Sequence, residues 1–123
     1  MKIHGTVAIV AGTFFSITST IGMSAGIGPF GMLQENKLGH VGLMQAYMLF
    51  ALIGVVLIIG SRQENVKKWN RIGAFAHILI LIVYVIHWNF FPTIENGEFM
   101  RMGGLVFHLT FVTLQSWAGF ISK

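Results

Sequence analysis

Four long stretches of the chain contain no Asp, Glu, Lys or Arg, and apolar residues dominate each of them: residues 3–34, 38–61, 72–94 and 102–122. Each stretch provides the roughly 20 residues that a helix needs to cross a hydrocarbon core about 30 Å thick. The segment MLFALIGVVLIIG, residues 48–60, is apolar on every side, whereas a membrane-spanning β-strand alternates apolar and polar residues. The pattern therefore predicts an all-α polytopic membrane protein.

We expect four transmembrane helices in an up-down bundle that forms a single domain over residues 1–123, with helices at about 5–27, 41–60, 72–91 and 102–121. Pro29 and Pro92 end the first and third helices in this prediction, because proline cannot donate a backbone hydrogen bond and disfavours helical geometry in the residue before it. The first apolar stretch lasts over thirty residues, longer than the apolar region of a signal peptide. We therefore expect it to be a retained helix.

The composition makes the lipid bilayer the first expected partner of this chain. Hydrophobic residues account for 54% of the sequence and charged residues for 10%, whereas about a quarter of the residues of a soluble domain are charged. A soluble helical domain with an unusually apolar surface is the disfavoured alternative, because the chain has too few charged side chains to cover itself.

The distribution of the few charges predicts an orientation. The segment SRQENVKKWNR, residues 61–71, has four basic residues and one acidic residue, whereas the third connection is net negative through Glu95, Glu98 and Arg101. Short basic connections stay on the cytoplasmic side. We therefore expect residues 61–71 and both termini, Lys123 included, on the cytoplasmic side of a plasma membrane. The net charge of +4 follows from this asymmetry, and connections this short leave no room for a nucleic-acid-binding domain.

Small residues recur along the first helix in a pattern typical of close helix packing. One set has a spacing of four: Ala8, Gly12, Ser16, Thr20 and Ser24. We expect Gly12, Gly22 and Gly26 to form a packing seam, because helices in lipid associate by close backbone approach and interhelical hydrogen bonds. Two interpretations stay open: packing within the chain's own bundle, and a seam for self-association or for another membrane subunit.

Two histidines, His87 and His108, are the first candidates for a cofactor site. On helices of opposite direction, a rise of 1.5 Å per residue puts His87 about 7 Å and His108 about 6 Å outward of the membrane midplane. Facing histidines at one depth can hold a b-type haem axially or contact a quinone. Tyr84 and Gln115 lie near them by helical periodicity and are further candidate contacts. His77 lies on the inner half, where we expect no second histidine near its depth.

The same histidines also have a structural interpretation. His87 precedes Trp88, and tryptophan gathers at the membrane interface, so this pair can act as an anchor. A neutral histidine inside the membrane can be satisfied by a hydrogen bond to a neighbouring helix. We assign no metal ligands, and the absence of cysteine excludes thiolate chemistry.

Three functional hypotheses follow. No Asp or Glu lies inside a charge-free stretch, which disfavours a transporter coupled through a membrane-embedded acid. The leading hypothesis is an accessory or structural subunit of a larger membrane complex, without enzymatic activity. The second is a redox module that binds b-type haem or quinone through His87 and His108. The third is a small-solute channel or carrier, with a polar interior formed by Thr13, Ser16, Thr20, His77 and Gln115.

In outline, four short spans that carry His, Tyr and Gln resemble the small DoxX-like membrane proteins and the cytochrome b membrane anchors. The likeness is one of architecture, and it implies no role for an individual residue.

Overall fold

The computed structural model describes residues 1–93 and 97–121, and these residues contain helices and turns but no β-strand. Four helices are long and apolar enough to cross a membrane: α1 (Lys2–Ala25), α2 (Lys37–Gly60), α3 (Val66–Ile86) and α4 (Gly97–Ser116), the last continued by a π-helical turn, Trp117–Ile121. Two short 3-10 helices lie between them, at Gly28–Gln34 and Phe91–Thr93. The predicted all-α fold class with four membrane-length helices is confirmed.

Side-chain burial has the distribution expected of a protein in lipid. Large apolar side chains are exposed along all four helices, while the buried residues of the described chain include seven polar ones: His4, Ser19, His40, Asn70, His77, His108 and Gln115. In a membrane, polar side chains avoid hydrocarbon and turn towards the protein interior. The chain is therefore a small integral membrane protein.

Residues Lys2–Ile58 form one compact unit. Gly5 lies against Gly54 and Gly12 against Tyr47, so α1 and α2 run antiparallel. Their backbones come close at two glycines of α1. A Cβ atom built on Gly5 would lie 2.6 Å from the carbonyl oxygen of Gly54, and one on Gly12 would lie 2.6 Å from that of Tyr47. Glycine at these positions allows an approach that a side chain would prevent.

The chain leaves α1 through a turn that needs glycine. Gly26 and Gly28 have φ angles of +68° and +70°, a left-handed conformation that other residues rarely adopt. Pro29 then lies in the first turn of the 3-10 helix Gly28–Gln34, which packs against α1 with Phe30 in contact with Gly22. The expected helix end before Pro29 is thus observed.

The second compact unit begins at Ile59 and also includes Met1. Its helices α3 and α4 form an antiparallel hairpin. At one end the Arg71 Nε donates a hydrogen bond to the carbonyl oxygen of Gly119 at 2.9 Å. At the other end the Arg101 guanidinium lies 4.0 Å from the centre of the Trp88 ring, an attractive cation–π arrangement.

The ends of α3 and α4 differ from the prediction. Helix α3 begins at Val66 and ends at Ile86, instead of covering about 72–91, and α4 begins at Gly97 instead of near 102. Both helices begin before their charge-free stretches, because long charged side chains in the first turns can reach the headgroup region. Glu95 and Lys123, which also entered the orientation prediction, lie outside the described residues.

Candidate functional site

The centre of the α3–α4 hairpin contains two histidines that contact each other. The Nδ1 atoms of His77 and His108 lie 2.6 Å apart, and the residues are 1% and 9% exposed. Given the helix bounds Val66–Ile86 and Gly97–Ile121, each histidine lies within about 2 Å of the midpoint of its helix along the axis. The pair therefore joins the two helices near the middle of the hydrocarbon region.

The Nδ1–Nδ1 contact fixes the tautomers of a neutral pair. A neutral imidazole has one N–H donor and one acceptor nitrogen. One ring must then donate from Nδ1 and accept at Nε2, while the other accepts at Nδ1 and carries its hydrogen on Nε2. In the neutral pair, therefore, one Nε2 atom is a hydrogen-bond acceptor and the other is a hydrogen-bond donor.

Aromatic rings surround the pair. Phe111 stacks on His77 with ring centroids 5.3 Å apart and planes 14° apart. Phe107 meets His108 edge-on, with centroids 5.3 Å apart and an interplanar angle of 87°. Tyr84 also lies beside His108, with a centroid distance of 5.8 Å. Residues three and seven positions apart share a helix face, so this group follows from the positions of His77 and Tyr84 on α3 and of His108 and Phe111 on α4.

Tyr84 and Gln115 lie on the same seam as the pair. The Tyr84 hydroxyl occupies the space that a Cβ atom on Gly104 would need. Gln115, two turns from His108 on the same face of α4, is 3% exposed. The helix seam thus includes three of the four residues predicted to bind a cofactor, His108, Tyr84 and Gln115.

His87 does not join them. It ends α3, is exposed, and lies ten residues beyond His77, or about 15 Å along the helix. The expectation that His77 has no histidine near its depth is wrong, because α3 begins earlier than its charge-free stretch. With the observed bounds of both helices, Val66–Ile86 and Gly97–Ile121, His77 and His108 lie at nearly the same depth.

The His77–His108 pair does not fit a haem iron or another metal ion between its Nδ1 atoms. Two opposed imidazole nitrogens that each bind a metal at about 2 Å need about 4 Å between them, and these two atoms are at hydrogen-bond distance. Across residues 1–93 and 97–121, no group of three or more His, Cys, Asp or Glu residues could hold a metal ion.

Two hydroxyl groups expected in a polar channel bond to the backbone of their own helix, and that of Thr20 also lies 3.3 Å from the Met44 sulfur of α2. Ser16 and Thr20 each donate at 2.8 Å to the backbone carbonyl four residues earlier in α1, and Thr13 is exposed. These residues belong to a different compact unit from His77 and Gln115.

The glycines of the predicted packing seam contact their own chain. A Cβ atom built on Gly22 would lie 2.6 Å from the Cβ atom of Phe30, and one on Gly26 would lie 2.5 Å from Oε1 of Gln34. Gly12 lies against Tyr47, so all three glycines pack against residues of the first compact unit. A seam for self-association or for another subunit at these glycines stays a prediction.

Comparison of the chain with protein-family models, with curated proteins and with solved structures finds no match.

Proposed function

We propose that this integral membrane protein is an accessory or structural subunit of a larger membrane assembly, and that the outer face of α1 binds a transmembrane helix of a partner subunit. Six residues at alternating spacings of four and three form that face, and all are exposed: Thr6, Val10, Thr13, Ile17, Thr20 and Ser24. This observation carries the proposal, because such spacing places side chains on the single seam that one partner helix contacts.

The composition of the α1 outer face favours a helix over lipid as its neighbour. Thr6, Thr13 and Thr20 recur every seven residues and alternate with Val10 and Ile17, which are 62% and 55% exposed. Small hydroxyl residues at such positions allow close approach and interhelical hydrogen bonds, whereas lipid chains gain nothing from them.

The connections of the described chain offer little else to bind. Only residues 61–65 separate α2 from α3, and the His77–His108 and Arg71–Gly119 hydrogen bonds join α3 to α4 inside the hairpin. A protein that engages others mainly through its membrane-embedded helix faces fits the role of a subunit better than that of a solute carrier.

Site-specific photocrosslinking in native membranes tests the proposal. A photoreactive phenylalanine analogue replaces Val10 or Ile17 on the α1 outer face. Matched controls place it at Leu79 on α3 or Leu109 on α4, which are also exposed apolar positions. We expect a crosslinked membrane protein at Val10 and Ile17 that is absent at Leu79 and Leu109. Lipid adducts alone at every position would contradict the proposal, and crosslinks only to a second copy of this chain would replace the subunit role with self-association.

A further inference from the structure

We propose that the α3–α4 hairpin binds an anionic phospholipid at the end where α3 begins, and that the Arg71 guanidinium holds the lipid phosphate. Arg71 and its contacts lie in the second compact unit, whereas the proposed partner helix contacts α1. The lipid site is therefore independent of the proposed subunit role.

Two contacts hold the Arg71 guanidinium against the end of α4. Its Nε donates a hydrogen bond to the Gly119 carbonyl oxygen at 2.9 Å, and its Cζ lies 4.6 Å from the centre of the Phe120 ring, an attractive cation–π distance. Both partners belong to the π-helical turn Trp117–Ile121. A side chain that is already fixed in this way loses less conformational freedom when it binds a ligand.

The two contacts leave the forked edge of the guanidinium available. A guanidinium has five N–H groups, one on Nε and two on each Nη nitrogen. Nε is bonded to Gly119, and in the part of the chain that the structure describes no group accepts a hydrogen bond from the Nη nitrogens of Arg71, whose side chain is exposed. Two Nη donors side by side match two oxygens of one phosphate group. Arg71 can therefore bind a phosphate in a bidentate manner.

The depth of the Arg71 guanidinium favours a lipid phosphate over a soluble anion. Gly119 lies ten residues beyond Leu109, the midpoint of Gly97–Ile121, or about 15 Å along the helix axis. That distance is half the thickness of a hydrocarbon core of about 30 Å. The guanidinium, bonded to Gly119, thus lies at the boundary between acyl chains and headgroups, and its aliphatic stem lies on the apolar side, as is usual for arginine near a helix end.

The charges around Arg71 favour an anionic lipid over a zwitterionic one. Lys67 and Lys68 lie four and three residues before Arg71, so they share its side of α3. Arg62 adds a fourth positive charge, against the single negative charge of Glu64. None of these five side chains forms an ion pair with another described residue. The positive charges repel the choline of a zwitterionic headgroup and attract a headgroup whose only charge is the phosphate.

Native mass spectrometry of the full chain in detergent tests the site on the unaltered protein. Phosphatidylglycerol and phosphatidylcholine with the same acyl chains compete at equal concentrations. We expect one tightly bound lipid per chain, with about tenfold preference for phosphatidylglycerol. The water-soluble headgroup glycerophosphoglycerol, at the same concentration, should not displace it. Equal binding of the two lipids, or displacement by the free headgroup, would overturn the proposal.

Variants of two arginines separate a phosphate ligand from diffuse attraction. Arg71→Gln should lower the affinity for phosphatidylglycerol about tenfold, because two charge-assisted hydrogen bonds are lost. Arg62→Gln removes the same charge at an exposed position before α3 and should change the affinity by less than about twofold. Equal losses in Arg71→Gln and Arg62→Gln would refute a site at Arg71.

Arg71→Lys tests the forked geometry and keeps the test decisive if Arg71→Gln fails to fold. Lysine retains the positive charge and a long aliphatic stem, but its ammonium lacks the planar fork and the Nε donor. Arg71→Lys should therefore lose most of the affinity for phosphatidylglycerol while the circular dichroism spectrum stays helical. Wild-type affinity in Arg71→Lys would show that charge alone binds the lipid and would overturn the bidentate phosphate contact.

Discussion

At the scale of single residues, the hydrogen bond between His77 and His108 makes the two side chains depend on each other. Replacing His77 by Leu leaves the Nδ1 of His108 facing apolar groups, and an unsatisfied buried polar atom costs about 1–3 kcal/mol. We expect this loss in the free energy of unfolding of His77→Leu, measured by SDS titration of the protein in mixed micelles with circular dichroism as the signal.

The double variant His77→Leu/His108→Leu separates the hydrogen bond from general packing. Removing both partners leaves no unsatisfied Nδ1 atom, so the double variant should be more stable than the sum of the two single losses predicts. Interhelical hydrogen bonds in membranes have coupling energies of about 0.6–2 kcal/mol, and we expect a value in this range. Strictly additive losses would mean that the contact contributes nothing of its own to stability.

Gly12 is the second residue whose effect can be predicted from its contacts. A Cβ atom there would lie 2.6 Å from the Tyr47 carbonyl oxygen and 2.9 Å from the Ala51 nitrogen, both backbone atoms of α2. Since backbone cannot move as a flexible side chain can, Gly12→Ala should push α1 and α2 apart and lower the free energy of unfolding by about 1–3 kcal/mol.

Gly42 provides the matched control for Gly12. It lies in α2, where a Cβ atom built on it would meet no neighbouring atom within 4 Å. Alanine is more favourable than glycine inside a helix by roughly 1 kcal/mol. Gly42→Ala should therefore leave stability unchanged or raise it slightly in the same SDS titration. Equal losses in Gly12→Ala and Gly42→Ala would show that helix contact at Gly12 is not the cause.

At the scale of elements, the start of α3 depends on one cap. The Asn65 side chain accepts a hydrogen bond from the Lys68 backbone nitrogen at 3.1 Å, which satisfies a donor that the helix itself cannot pair. Asn65→Ala should cost about 1 kcal/mol and accelerate hydrogen exchange of the Lys68 amide. Asn65→Asp retains the acceptor and should keep slow exchange. Unchanged exchange in Asn65→Ala would place the helix start elsewhere.

The same helix start explains what the sequence could and could not predict. Charge is excluded from hydrocarbon, so the existence and number of membrane-length helices followed from the charge-free stretches. The ends of α3 did not, because Lys67, Lys68 and Arg71 are compatible with a helix whose first turns lie near the headgroups. Moving the centre of α3 by about six residues moves every side chain by about 9 Å along the membrane normal. Because of that displacement, the predicted partner of His108 was His87, whereas the observed partner is His77. The prediction that His108 lies in the helix seam did not depend on it.

Contacts that depend on three-dimensional packing were also beyond the sequence. The spacing of Gly12 with Ser16 and Thr20 indicated a helix-packing face. Periodicity alone does not show whether a helix of the same chain or of another chain packs against that face. The structure places Gly12 against α2 and leaves the neighbouring Thr6–Thr13–Thr20 stripe exposed. The candidate face for a partner thus differs from the glycine seam, although both lie on α1.

At the scale of the whole molecule, the orientation in the membrane rests on charge. Of the basic residues near the α2–α3 connection, Arg62 precedes α3, while Lys67, Lys68 and Arg71 lie in its first turns. All are within the distance of a membrane-spanning segment at which Lys and Arg influence topology. They favour retention of this end of α3 on the cytoplasmic side, and the opposite end, near Asn89, is then exterior.

Cysteine labelling measures this orientation directly, because the chain has no cysteine of its own. Gln63→Cys lies just before α3 and Asn89→Cys just after it, both positions are exposed, and neither substitution alters a charge. In intact cells a membrane-impermeant maleimide should label Asn89→Cys, and it should label Gln63→Cys only after permeabilisation. The reverse result would invert the orientation, whereas labelling of both from one side would mean that α3 does not cross the membrane. Replacing Lys67 and Lys68 with Gln in the Gln63→Cys chain should increase its labelling in intact cells, because the positive charges that hold this end inside are then halved.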